Sequence, residues 1–195
     1  MRLFVAVVPP VEALQGLSDA VAPVRGLPGA DRLRWTTVEG WHLTLAFLGE
    51  VPPERLPELE AGLAGVAEVH AVHRLRISGA GRFGDRVLWA GVDGETWALR
   101  RLAEAVGEAT AEVAGETDAY GFHPHLTLAR AGSHRGHRRA VQRVAAAELD
   151  GLAAALADYR GPEWVAAELR LMQSESEGGA PHYRTVRAWP LADWS

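Results

Sequence analysis

The tetrad His-Leu-Thr-Leu occurs twice in this chain, once in each half of its 195 residues, beginning at His42 and again at His125. Each copy lies in a short apolar run where Leu and Thr alternate, the pattern of a strand with two unlike faces. Successive side chains of a strand point to opposite sides. His42 and Thr44 therefore share one face, backed by Leu43 and Leu45. His125 and Thr127 share a face in the same way, backed by Leu126 and Leu128. Such a chain must bury two leucine faces while leaving an imidazole and a hydroxyl on the reverse of each. Two imidazoles brought together across a cleft form an acid–base pair that works near neutral pH.

Strands and helices alternate around the tetrads. Residues 2–8 read as a strand closed by Pro9 and Pro10. Val11, Leu14, Leu17, Ala20, Val21 and Val24 recur at helical spacing and predict a helix over 11–24. After a loop with Gly26, Pro28 and Gly29 come a short strand over 32–36 and the first tetrad strand over 42–48. Pro52 and Pro53 open a helix that runs to about Val69, since proline is tolerated in a first turn. Strands over 75–80 and 86–92 are joined through Gly81–Asp85 as a hairpin. The second half offers an Ala-rich helix over 96–113 and, entered through Phe122-His123-Pro124, the second tetrad strand over 125–131. A loop over 132–136, a helix with a basic start over 138–147 and a strand over 165–174 follow. Gly178-Gly179 is a turn, and residues 183–189 form a closing strand. Short connections between neighbouring strands favour antiparallel or mixed sheets with helices on one face, an α+β arrangement. The doubly wound α/β alternative lacks its Gly-rich loop after the first strand.

Composition removes several chemistries. The chain has no cysteine, which excludes disulfides, thiolate nucleophiles and Cys-ligated metals. A net charge of −5 is not that of a basic nucleic-acid coat, so any phosphate is held locally by a few placed residues. The apolar fraction of 48% and charged fraction of 23% are ordinary for a globular chain with a real core, as one large domain or two small lobes. The apolar start is too short for a membrane span and lacks the pattern of a signal peptide. A cytoplasmic protein with no membrane partner is expected.

The two segments His42-Leu43-Thr44-Leu45-Ala46-Phe47-Leu48-Gly49 and Phe122-His123-Pro124-His125-Leu126-Thr127-Leu128-Ala129-Arg130 closely resemble the 2H phosphoesterase superfamily. The nearest branch is that of the RNA 2′,3′-cyclic phosphodiesterases, also known as 2′-5′ RNA ligases. The resemblance covers nearly the whole chain, including Leu3–Val7, Trp35 ahead of the first tetrad, and the ending Tyr183…Trp189-Pro190-Leu191. It implies one bilobal unit over residues 1–195. Two pseudo-symmetric lobes of antiparallel sheet, with outer helices, would line a central cleft, one tetrad in each lobe. It implies no metal and no cofactor. The substrate it implies is RNA, or a nucleotide, ending in a 2′,3′-cyclic phosphate, and no obligate protein partner is implied, so a monomer is expected. By the same analogy His42 gives a proton to the leaving O3′ and His125 activates water, which leaves a 2′-phosphate. Thr44 and Thr127 would donate hydrogen bonds to the non-bridging oxygens. From the residues alone, which histidine is acid and which is base stays open. So do ATP-independent 2′-5′ ligation as the physiological direction, a non-catalytic RNA- or nucleotide-binding module, and a metal-dependent hydrolase.

Arg130 is the candidate phosphate clamp, because a guanidinium matches phosphate in a fork. Strict alternation places it with Leu126 and Leu128, away from the cleft, so a bulge or the strand's twist would have to redirect it. His123 with His125 forms a His-x-His pair, read as non-metal because no local carboxylate or cysteine accompanies it. His70, His73, His134, His137 and His182 are expected at the surface or in loops. The basic run His134, Arg135, His137, Arg138 and Arg139 is either an RNA guide or a solvated helix face. Trp35, Phe122 and Tyr183 are possible base-stacking residues without assigned roles, and Phe47 is expected in the core with Leu43 and Leu45.

Overall fold

A computed structural model describes residues 1–114, 121–132, 145–175 and 181–194. Two antiparallel sheets carry the chain. The first runs in the order β3-β1-β8-β9 and the second in the order β2-β6-β5-β4-β7. Their strands are β1 (Arg2–Val7), β2 (Leu33–Trp35), β3 (Leu43–Glu50), β4 (His73–Phe83), β5 (Val87–Gly94), β6 (His125–Ala131), β7 (Arg160–Ala166), β8 (Glu168–Glu175) and β9 (His182–Pro190). Helices α2 (Leu56–Val69) and α3 (Thr96–Ala114) pack on the first sheet, and α1 (Val11–Val24) and α4 (Ala146–Ala155) on the second. The architecture is the expected α+β one, with sheets facing a shared cleft and helices behind them.

Alternation explains how each sheet presents two surfaces. Leu3, Val5 and Val7 of β1 belong to the main core, whereas Phe4 and Ala6 belong to a small separate cluster with Met172 and Tyr183 on the cleft side. Leu43 and Leu126, second in their tetrads, have no exposed surface. Burying a leucine side chain in this way stabilises the fold by roughly 1.5–3 kcal/mol.

The lobes are not the two halves of the chain. The first tetrad's sheet is completed by β8 and β9 from the C-terminal end, and α1 leaves β1 to cover the opposite sheet. The expected single strand over 165–174 is the end of β7 followed by β8, with the break at Ala167. The chain changes sheets there, and a period-two pattern carries no mark of such a switch. The first part of β7, with Gly161 and Pro162, gives no strand signal. It is an edge strand, which is where a sheet tolerates proline. Helix α4 begins at Ala146 and so covers residues past the helix expected at 138–147. The rest of that expected helix, the basic run from His134 to Arg139 and the Gly178-Gly179 turn lie outside the described residues. Among those residues, no helix is long and apolar enough to cross a membrane.

Candidate active site

Both tetrads lie on strands that slip register at the same place. On β3, Ala6 of β1 faces Thr44 and Val5 faces Ala46, so Leu45 is left over. On β6, Trp89 of β5 faces Thr127 and Leu88 faces Ala129, so Leu128 is left over. An extra residue in one strand reverses the alternation beyond it. The residue five positions after each histidine is thereby turned to the face that carries the histidine. In one lobe that residue is Phe47 and in the other Arg130, and both line the cleft. The redirection that Arg130 requires is thus present. The expectation that Phe47 is core is wrong for the same reason, since its side chain is 66% exposed.

His42, Thr44, His125 and Thr127 all line one cavity of about 860 Å³ between the sheets. The two histidines are held alike. The Nδ1–H of His42 donates to the Gly40 carbonyl at 2.8 Å, and the Nδ1–H of His125 donates to the His123 carbonyl at 2.7 Å. A carbonyl only accepts, so each neutral ring keeps its proton on Nδ1 and leaves Nε2 as a base for the cleft. A one-turn 3-10 helix at Val38–Gly40 supplies the first carbonyl, and the buried Trp41 anchors the strand start. The loop through Pro124 supplies the second.

Aromatic rings wall both imidazoles. Phe4 lies 4.7 Å from His42, and Tyr183 meets it edge-on at 5.1 Å. Phe83 meets His125 edge-on at 4.8 Å, and Trp89 lies 6.3 Å away. Gly81 stands opposite Trp89, and a Cβ there would fall 2.4 Å from the indole. A side chain at 81 would displace the ring that backs His125. Of the aromatics first considered for stacking, only Tyr183 reaches the cleft. Trp35 donates its Nε1–H to the Ala30 carbonyl and carries Arg25 over its ring, and Phe122 packs against the main core. Phe4, Phe47 and Phe83 carry no sequence mark that separates them from core.

Burial dominates the electrostatics. It pushes His42 down to about 4, partly offset by the Gly40 bond, with His125 and Arg130 pushing the same way as burial. His125 is lowered by burial, and by the charges of His123 and Arg130, against the bond to its carbonyl. Burial also raises the Tyr183 phenol, while Arg130 and Arg2 act to lower it. His73, expected at the surface, is 3% exposed, and burial lowers it too. Among the described residues no group of three His, Asp or Glu is placed to hold a metal ion.

These depressed imidazoles make stability pH-dependent. A base whose pKa falls on folding lets the unfolded chain take up protons first as the solution is acidified. The contribution of His42 is complete above about pH 6.5 and is lost as pH falls towards about 4. The urea midpoint is expected to drop between pH 7 and pH 5, and His42→Phe to flatten part of that drop. A midpoint that rises on acidification would contradict the assignment.

The chain matches the family model of the 2′-5′ RNA ligase superfamily over residues 10–176. It is 34% identical over 161 residues to the RNA 2′,3′-cyclic phosphodiesterase of Geobacillus stearothermophilus, an alignment covering 80% of this chain and 47% of that protein. This chain thus spans about half the length of that relative. It is 32% identical over 203 aligned positions to the RNA 2′,3′-cyclic phosphodiesterase of Thermus thermophilus, covering 98% of this chain and 90% of the relative. Among solved structures it superposes on TT0787 of Thermus thermophilus with a TM-score of 0.74 at 30% identity, covering 98% of both chains. The apo form of Escherichia coli LigT shares the fold, with a TM-score of 0.73 at 24% identity and 98% coverage of both. With a family model matched over most of its length and the duplicated tetrads facing one cleft, this chain belongs to the 2′-5′ RNA ligase superfamily.

Proposed function

We propose that this protein hydrolyses a terminal 2′,3′-cyclic phosphate on RNA to a 2′-phosphomonoester, with His42 and His125 as the only proton-transfer groups. The observation that carries the reading is the pair of Nδ1-anchored imidazoles lining one cavity, each with a threonine on its own face. Relatives named RNA 2′,3′-cyclic phosphodiesterase at 32–34% identity support the same substrate.

His125 Nε2 takes a proton from water as its oxygen attacks phosphorus. The P–O3′ bond breaks, and protonated His42 gives its Nε2 proton to O3′. The products are a ribose 3′-hydroxyl and a 2′-phosphate. The rings end with exchanged protonation states and are reset by solvent. In-line displacement suits groups on two facing walls. Thr44 and Thr127 donate to the non-bridging oxygens as charge builds on them. His42 is neutral in the empty cleft at pH 7, so the acid is made on binding. The anionic phosphate favours the imidazolium and draws in a proton with the substrate. Both proton transfers are covered by imidazole, and turnover is expected to survive EDTA. We take the enzyme to act as one bilobal unit over residues 1–195 and as a cytoplasmic monomer. Both tetrads meet within one chain, and a cysteine-free sequence suits a reducing compartment.

The deciding experiment is product analysis on RNA ending in a 2′,3′-cyclic phosphate, resolving 2′- from 3′-phosphate. A 2′-phosphate formed in EDTA is expected. A 3′-phosphate product would reverse the leaving oxygen, and no turnover between pH 5 and 9 would leave a binding module. Adding RNA with a 5′-hydroxyl end tests ligation in the same reaction. Thr44→Val and Thr127→Val are each expected to lower kcat about 10²-fold with little change in KM, since each removes a donor aimed at transition-state charge. Equal losses in binding would mean that the hydroxyls serve the ground state.

A further inference from the structure

Two arginines that line the cleft have no part in the chemistry above. Arg34 on β2 stands directly opposite Arg130 on β6. Arg2 begins β1 on the other wall. Both are exposed, and neither makes an ion pair or side-chain hydrogen bond among the described residues. Among those residues no aspartate or glutamate lines the cavity. Like charges directly opposite in an antiparallel pair destabilise it. The Arg34–Arg130 pairing is therefore an electrostatic load on the empty protein, relieved when an anion is bound beside Arg34.

The positions separate this anion from the scissile one. Arg130 is the arginine whose charge acts on both imidazoles. Arg2 shares the cleft face of β1 with Phe4 and Ala6, and Ala6 stands opposite Thr44. Four residues further along the strand, Arg2 starts about 13 Å from that level at about 3.3 Å per residue. Its charge is felt by Tyr183, on β9 of the same sheet. A cyclic phosphate caps the 3′ end of an RNA, so every other phosphate of the chain lies on the 5′ side of the terminal nucleoside.

We propose that Arg2 and Arg34 form a subsite for the internucleotide phosphodiester on the 5′ side of the terminal nucleotide, so that the cleft favours polynucleotide ends over cyclic mononucleotides. The inference rests on the hydrolase reading. With a net charge of −5 on the chain, attraction of an RNA strand has to come from such a local group.

The test compares adenosine 2′,3′-cyclic phosphate with the dinucleotide ApA ending in the same cyclic phosphate, which adds one phosphodiester. The ratio of kcat/KM for the dinucleotide over the mononucleotide is expected to exceed ten in the wild type and to fall at least fivefold in the double variant Arg2→Gln, Arg34→Gln. The change should be carried by KM, and the double lysine variant should retain part of the preference. The salt dependence of KM for the dinucleotide should also weaken in the glutamine variant, by up to about 0.7 in log–log slope for the one phosphodiester no longer neutralised. A wild-type ratio near one, or a ratio the glutamine variant leaves unchanged, overturns the subsite while the hydrolase reading stands. Absence of turnover on both substrates in the wild type overturns the hydrolase reading, and the subsite with it.

Discussion

Replacing His42 or His125 by alanine is expected to lower kcat on a cyclic-phosphate RNA end by about 10²–10⁴-fold in each case. KM should change little, because Arg130 still meets the phosphate. The double variant should fall only modestly below the worse single variant, since an acid and a base that act in one displacement do not contribute additively. The two single variants can be told apart by the leaving group. A cyclic substrate with sulfur in place of O3′ departs without a proton, so it should restore much of the rate to His42→Ala and none to His125→Ala. Rescue of the His125 variant instead would exchange acid and base. Near wild-type turnover in either alanine variant, on the natural oxygen substrate, would remove the two-histidine mechanism.

Most of this site is legible in the sequence because its signal is short-range and duplicated. Two histidines, two threonines and the leucines behind them follow from period two over four residues, and that period holds in both strands up to the third position of each tetrad. Legibility ends at the fourth position. Leu45 and Leu128 are ordinary strand leucines, and nothing in their side chains announces that the partner strand skips them. Whether a strand bulges depends on the strand beside it, here β1 or β5, which is distant in sequence. Phe47 therefore reads as core and Arg130 as turned away, although both enter the cleft.

The sheets show the same boundary between local and non-local information. Helix α1 coincides with its expected range because a single amphipathic face sets it. Pairing of β1 with β8 joins segments more than a hundred residues apart, and neither it nor the crossing between sheets at Ala167 leaves a local pattern. His73 illustrates the case for single residues. Its imidazole donates Nδ1–H to the Ala71 carbonyl two residues back, as the cleft histidines do to theirs, but it is buried in the packed lobe rather than in the cleft. A lone histidine on a strand gives no means of telling these two fates apart, whereas the repeated tetrad does.

Arg130→Gln is expected to lower kcat/KM about 10²-fold and, at the same time, to move its pH optimum upward. The loss follows from removing a guanidinium that can fork onto phosphate oxygens in a cleft without acidic residues among those described. The direction of the optimum follows from charge. Arg130 disfavours protonation of both His42 and His125, so its removal lets both imidazoles hold a proton to higher pH. The profile of kcat/KM reports the free enzyme's acid and base. Its two limbs should therefore move in the same direction, the acid limb because His125 needs a higher pH to be free as base, and the alkaline limb because His42 stays protonated longer. Arg130→Lys keeps the charge and loses the fork, so it should keep the wild-type optimum while losing part of the rate. Profiles of kcat/KM for the three proteins decide the matter. A glutamine variant with reduced rate and an unmoved optimum would limit Arg130 to contact with the substrate, and an optimum moved to lower pH would contradict its electrostatic action on the imidazoles.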